Sequence, residues 1–278
     1  MDIKVQQLKQ QMISVYEDTK KRIESDDYLM SSVRQSIESQ RFFSEEDDIA
    51  LPEPPYDKVV QVAVSNLRSF EAAAKYKDKK VAVLNFACAV NPGGGVTIGA
   101  MGQEESLCRA STLSLCLDNP SAWEYYYTPN RNAHNLLHND NIIYTKDVCI
   151  IKDDDYTPLS TPFFVDVITC AAPNLQEQPS KSFYYGDPVL ISLQDLLELH
   201  EKRARKIFSV AALNKVEVLI LGAFGCGAFC NEPDIVAKAY RMVLQEYQYY
   251  FNIIEFAVYG SPSNQTNYLT FNKILGTR

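Results

Sequence analysis

Apolar positions change their spacing repeatedly along the chain. Over residues 1 to about 45, Val5, Leu8, Met12, Val15, Tyr16 and Ile23 recur near a 3.6-residue period, with Lys, Gln, Glu and Asp between them, which predicts helix. The charged, Pro-rich stretch Ser44 to Pro55 breaks that pattern and reads as a linker or wrapped loop. Val59 to Val64 suits a short strand, Asn66 to Lys75 a helix, and Val81 to Ala87 a strand buried on both faces. A helix is expected from about Gln103 to Leu117, whereas Asp118 to Asn141 is rich in Asn, Tyr and His and gives no clean period. Short strands are expected at 141–144 and 148–152. A strong strand follows at Phe163 to Cys170, ending in the turn Ala171-Ala-Pro-Asn174. Ser192 caps a helix running to about Asn214, and Val216 to Leu221 is another buried strand. A helix from Glu232 to about Tyr249 and a strand from Ile253 to Tyr259 complete the pattern. Strands alternating with helices predict an α/β fold whose mixed, mostly parallel sheet lies between helical layers.

Composition narrows the class. At 278 residues and 46% apolar content the chain can bury a sizeable core without disulfide or metal staples. The division expected is a helical extension and linker over 1–55 and one α/β domain over 56–278. The formal charge of −8 argues against a broad grip on DNA or RNA, which needs a basic face. It leaves room for a small phosphate-bearing ligand held by backbone N–H groups. The first residues lack the apolar core of a secretory signal, and the longest apolar runs fall short of the roughly 20 residues of a membrane helix. Seven cysteines, an odd number without a CxxC, read as reduced thiols in a cytoplasmic (alternatively nuclear) compartment.

Two glycine-rich loops carry the candidate chemistry, because each joins the end of a buried strand to a following helix. Ligands of such folds bind beyond the carboxyl ends of the strands. The first loop contains Asn91-Pro92-Gly93-Gly94-Gly95, and the second is Leu221-Gly222-Ala-Phe224-Gly225-Cys226-Gly227-Ala228-Phe229. Glycine permits positive φ and lets N–H groups approach phosphate oxygens. Neither loop is a Walker A motif, since no Gly-Lys-Ser/Thr follows. A single loop of this kind is ordinarily just a tight turn. Two at matching strand ends favour an anion-binding cleft. Seven residues (Val96 to Gly102) separate Gly95 from Gln103-Glu104-Glu105, at the expected start of a helix. Adjacent residues there point about 100° apart, so the two carboxylates serve different partners.

These pieces together resemble the bacterial-type poly(ADP-ribose) glycohydrolases, a branch of the macrodomain superfamily. That signature is three glycines, a gap of six to eight residues, then Gln-Glu-Glu. The similarity extends to Asn91-Pro92, to Thr169-Cys-Ala-Ala-Pro-Asn174 and to Gly225-Cys-Gly-Ala-Phe229. The resemblance implies a three-layer α/β/α macrodomain with an N-terminal helical extension. It implies binding of ADP-ribose, hydrolysis of the ribose–ribose bond of poly(ADP-ribose), and no metal or other cofactor. Glu105 would be the general acid/base, Glu104 would hold a hydroxyl of the distal ribose, and Gln103 would orient both. Asn91 would contact that ribose. Gly93, Gly94, Gly95 and Val96 would embrace the diphosphate together with Gly225, Cys226, Gly227, Ala228 and Phe229. Phe229 would pack on the ligand, with Phe224 a second candidate, and Asn174 would line the site.

One stretch departs from the family pattern. Tyr144 to Asp155 lacks the usual Pro and Arg and ends in Asp153-Asp154-Asp155. As an ordinary feature this cluster is a solvated turn. As a functional one it would face a cationic leaving group, so that the substrate becomes a mono-ADP-ribosylated protein, for example on arginine. Three other readings stand beside the hydrolase: a reader that binds ADP-ribose without cleaving it, an interaction module presenting the tyrosine-rich stretches, and a metal hydrolase using His134 and His138. The last has little behind it, for the segment has no HExxH and the chain only three histidines.

Overall fold

A computed structural model describes residues 3–178 and 188–276. In chain order the elements are α1 (Ile3–Glu24), α2 (Asp27–Glu38), β1 (Arg41–Phe43), β2 (Gln61–Ser65), α3 (Ser69–Ala73) and β3 (Val81–Phe86). Next come α4 (Gln103–Ala110), α5 (Leu113–Leu117), α6 (Pro120–Ala122), a π-helical turn (Trp123–Tyr127) and α7 (Thr128–Ala133). The remainder is β4 (Ile142–Lys152), β5 (Pro158–Cys170), α8 (Leu193–Leu213), β6 (Val218–Leu221), α9 (Pro233–Leu244), β7 (Ile253–Ala257) and α10 (Thr266–Leu275).

Among the described residues, seven strands form one sheet in the order β1-β4-β5-β3-β6-β7-β2. The β1/β4 and β4/β5 pairs are antiparallel and the four others parallel. The alternation of strand side chains sorts the core into two layers. Ala82, Leu84, Leu219, Leu221, Ile254 and Phe256 pack on one face against Ile207 and Phe208 of α8, Val236 and Tyr240 of α9 and Phe271 of α10. Val81, Val83, Val218 and Ile220 pack on the other, against Phe70 of α3, Leu107 and Cys108 of α4 and Leu113 of α5. The result is the expected α/β/α sandwich.

Several elements differ from the pattern-based expectation, each through a tertiary contact. The N-terminal helix breaks at Ser25-Asp26, where Asp26 Oδ1 accepts from the N–H of Tyr28 and Leu29 and caps α2. Helix then stops at Glu38, and Arg41–Phe43 pair with Tyr144–Ile142 as a seventh strand. The helix expected over 103–117 is divided because Ser111 takes extended backbone and bridges Ile150. The two strands expected over 141–152 are one, with a bulge at Thr145–Val148 where Asp147 has φ +54°. The segment 118–141, without a clean period, is largely helical, and α10 lies beyond the last expected strand.

The N-terminal helices pack closely on the rest. Ile23, Leu29 and Val33 bury against Cys116, Cys149 and Ile151. Lys152, 2% exposed, reaches from β4 to α1, where its Nζ donates to Thr19 Oγ1 (2.7 Å) and Val15 O (3.1 Å) and pairs with Asp18 (2.8 Å). Thr19 Oγ1 donates in turn to the Arg109 carbonyl at 2.5 Å, fastening α1 to the end of α4. No helix among the described residues is long and apolar enough to cross a membrane. None of the seven cysteines forms a disulfide.

Candidate active site

The carboxyl ends of β3, β5, β6 and β7 open onto a cleft of about 680 Å³. Gln103, Glu104, Glu105, Phe86, Gly225, Gly227, Ala228 and Phe229 all line it. Its far wall brings in residues not anticipated from the sequence: Leu8 and Met12 of α1, Arg68 and Ser69 at the start of α3, and Tyr156 of the β4–β5 turn. Beside them stand Asp154 and Asp155 of the acidic cluster, for which a place facing the leaving group was the functional reading. That acidic turn, expected as solvated, stands on the cleft wall. Tyr156, at φ +63°, brings its hydroxyl to Ser106 Oγ and Arg109 Nε, both at 3.1 Å. Arg68 donates to the Asp154 carbonyl at 2.5 Å and stacks over the Tyr259 ring at 4.8 Å. Burial pushes the Asp154 carboxyl up to about 6.

Gln103 docks the first turn of α4 on the sheet. Its Oε1 accepts from Phe86 N (2.9 Å), and its Nε2 donates to Leu84 O (2.8 Å) and Ser69 Oγ (3.0 Å). This clamp places Glu104 and Glu105 beside the end of β3. Glu104 is 2% exposed. It accepts from Cys88 N at 2.7 Å and Asn85 Nδ2 at 3.1 Å, and also from the Gly93 N–H. Burial first, and the Glu105 carboxylate second, push it up to about 8 against those three donors. Glu105 Oε1 accepts from Gly95 N at 2.9 Å.

The first glycine loop is therefore built around the carboxylates. Gly93 and Gly94 have φ of +68° and +57°. A Cβ on Gly94 would stand 2.5 Å from Glu105 Oε1, and one on Gly102 2.5 Å from Glu105 Oε2. The amides expected to face a diphosphate end on protein oxygens: Gly93 on Glu104, Gly94 on Asn91 O (3.1 Å), Gly95 on Glu105 and Val96 on Gly93 O (3.2 Å). The Gly93 and Gly95 amides are taken by two adjacent carboxylates that need donors of their own, and those of Gly94 and Val96 by the tight turns of the loop itself. Asn91 turns its Oδ1 to Arg131 Nη2 at 2.5 Å.

The second loop keeps its donors. The amides of Gly225, Gly227 and Ala228 make no hydrogen bond among the described residues, and a Cβ on Gly227 would meet open space. Asn231 holds the loop in shape, its Nδ2 donating to Pro173 O (2.7 Å), Gly225 O (3.1 Å) and Phe229 O (3.2 Å). Its Oδ1 faces His200 Nε2 at 2.8 Å, and burial drives that imidazole down to about 4, so the neutral ring donates from Nε2. Phe229 remains on the cleft. Phe224 differs from expectation: at 1% exposure it lies in the core, with its ring 5.6 Å from Phe86. Phe86 occupies the cleft instead. Cys226 lies under the loop with its thiol pushed up by burial. Asn174 is fully buried and accepts from Gln176 N at 3.1 Å, so it is part of the support and not of the lining. His134 and His138 lie outside α7 with φ of +47° and +59°, so no shared helical face forms. Among the described residues no group of three His, Cys, Asp or Glu side chains converges.

Sheet order and the cleft beyond the strand ends define a class: a macrodomain-like α/β/α fold, here with two adjacent glutamates on the wall of the cleft. The family model described as "Microbial-type PARG, catalytic domain" matches residues 6–153, and the chain belongs to that family. Poly(ADP-ribose) glycohydrolase (PARG) from Deinococcus radiodurans in complex with ADP-ribose is 33% identical, covering 87% of this chain and 95% of that one, with a TM-score of 0.76. PARG from Thermomonospora curvata is 24% identical over 96% of this chain and 100% of that one, with a TM-score of 0.84. The same enzyme bound to the inhibitor ADP-HPD gives 25% identity over 95% and 99%, with a TM-score of 0.82. No curated protein matches the chain.

Proposed function

We propose that this protein binds ADP-ribose and hydrolyses the O-glycosidic ribose–ribose bond of poly(ADP-ribose), with Glu105 as general acid and base. The observation that carries the reading is the division of labour between two adjacent acids. Glu105 lies on the cleft, oriented by the Gly95 amide and walled by Gly94 and Gly102, while Glu104 is buried and held by three donors. In the reaction Glu105 gives a proton to the departing ribose oxygen as C1″ develops oxocarbenium character. It then takes a proton from the water that attacks the same carbon. Glu104 holds a hydroxyl of the distal ribose. The open amides of Gly225, Gly227 and Ala228 receive the diphosphate, with Phe229 against the ligand. The Gly93–Val96 loop and Asn91 serve this arrangement by fixing the two carboxylates.

A second substrate is favoured by one observation, the presence of Asp154 and Asp155 on the cleft wall beyond Ser106. An acidic wall suits a cationic leaving group such as arginine, and so removal of a single ADP-ribose from protein. The thiols, none of them in a disulfide, support residence in a reducing, cytoplasm-like compartment.

The test is incubation with poly(ADP-ribose) and with arginine-, serine- and glutamate-linked mono-ADP-ribosyl proteins, following released ADP-ribose. Release from the polymer is expected, and Glu105→Gln should lower kcat by about 10²–10⁴ while calorimetric affinity for ADP-ribose persists. Tight binding with no release by the wild type would make the protein a reader instead.

A further inference from the structure

Beneath the cleft lining lies a set of buried polar groups that the chemistry above leaves unused. Tyr126 and Tyr127, on the π-helical turn, are 1% and 0% exposed, and neither hydroxyl has a hydrogen-bond partner among the described residues. Their rings meet edge to face at 4.9 Å. Both lie within electrostatic reach of Glu104 and of Cys88. On the adjoining strand, Asn85 spends its Nδ2 on Glu104 Oε1 and on Thr169 Oγ1 (3.3 Å), but its Oδ1 is buried without a partner. The two tyrosines pack in one core cluster with Ala87 after β3 and with Leu107 and Cys108 of α4, so two unpartnered hydroxyls and an amide oxygen lie buried behind the turn of helix that carries Glu104.

Leaving such groups unpaired is destabilising, and native proteins relieve it with internal water making two to four hydrogen bonds. A π turn is a rare element that recurs at functional sites. Here it places two consecutive tyrosines in the core behind α4.

We infer that Tyr126 and Tyr127 are positioning residues for the paired glutamates: their hydroxyls hold internal water against the Glu104 carboxyl and thereby set its protonation during turnover. The inference rests on the reading of Glu104 and Glu105 as the catalytic pair. Glu105 and Cys108, on its own helix, and the two tyrosines lie within electrostatic reach of Glu104, whose carboxyl accepts from the Cys88 amide. Tyr126 lies also within reach of Cys170 on β5 and Arg203 on α8. Since Glu104 is pushed up to about 8, small changes among its donors alter its charge near neutral pH. Hydroxyls donating through water favour the anion. Phenylalanine at these positions removes those donors and leaves the acid form in place to higher pH.

Tyr126→Phe, Tyr127→Phe and the double variant test this, with kcat on poly(ADP-ribose) followed against pH and folding checked by Tm. In the double variant the limb belonging to Glu104 should move to higher pH by about half a unit or more. A limb that stays in place overturns the inference. Should the variants fail to fold, a high-resolution crystal structure of the wild-type chain decides. Water bridging a tyrosine hydroxyl to Glu104 is the expected result, and a dry cluster overturns it. If the wild type releases no ADP-ribose from any substrate, the functional reading fails. An unmoved limb in an active enzyme, or the dry cluster, defeats this inference alone.

Discussion

At Gly94 the residue is dictated by its neighbour as much as by the turn. Its φ of +57° disfavours any side chain, and the missing Cβ makes room for the carboxylate that the Gly95 amide orients. Gly94→Ala should cost about 1–2 kcal/mol of stability through backbone strain and a far larger fraction of kcat, because the methyl and Glu105 Oε1 cannot both keep their places. Gly227→Ala is the contrast: nothing lies within 4 Å of its Cβ, so its Tm should match the wild type. Both are read by thermal melts alongside turnover. Glu104 makes a separate prediction. Its carboxyl titrates near 4.5 in the unfolded chain and at about 8 when folded, so folding takes up a proton between those values. Stability contributed by this group is therefore greatest below about 4.5 and falls as pH rises towards 8, by a few kcal/mol in total. Buried His138 and His200, each driven down to about 4, act in the opposite sense between there and 6.5. The comparison with Glu104→Gln isolates the carboxyl: in denaturant melts, the wild type should lose stability relative to the variant between about pH 5 and pH 8.

Among the elements, α4 depends most on one side chain. Removing Gln103 leaves the Phe86 amide and the Leu84 carbonyl, both at the end of central β3, without their partner. Gln103→Ala should destabilise by about 1–3 kcal/mol per orphaned group. It should also reduce kcat more than ADP-ribose affinity, since the glutamates shift with their helix while the Gly225–Phe229 loop stays under Asn231. Denaturation and calorimetry separate the two effects. Gln103 was visible in the sequence because its motif is local, and so were β3, β6 and α8 with its Ser192 cap, whose apolar spacing and capping chemistry are written in consecutive residues. Elements created by distant partners were not. β1 exists only where Arg41–Phe43 meet β4, and α4 ends where Ser111 bridges Ile150. In α10 only Phe271 and Leu275 are buried, too sparse a stripe to read as helix. The same limit governs the site. Glu104 and Glu105 belong to a contiguous motif, whereas Asn231, Arg68 and Tyr156 reach the cleft or its loops through contacts that spacing along the chain does not encode.

At the scale of the whole molecule, the N-terminal helices raise the question of whether residues 56–278 stand alone. Ile23, Leu29 and Val33 are almost wholly buried against α5 and β4. Burying such side chains is worth about 1.5–3 kcal/mol each, or roughly 5–9 together, against a typical total of about 5–15 kcal/mol for a folded domain. Without α1, the Lys152 ammonium would lose its bonds to Val15, Thr19 and Asp18, and Arg109 O its bond from Thr19. Without β1, the β4 edge would offer unpaired backbone groups to other chains. The cleft would also lose the wall formed by Leu8 and Met12. These losses are of different kinds and fall together on one face of the molecule's core and on its site. A chain beginning at residue 44 should therefore aggregate or melt far below the intact protein, and release no ADP-ribose. Circular dichroism melts, size-exclusion chromatography and turnover would establish this, whereas a soluble truncated chain with near-native Tm and activity would show that the extension is dispensable.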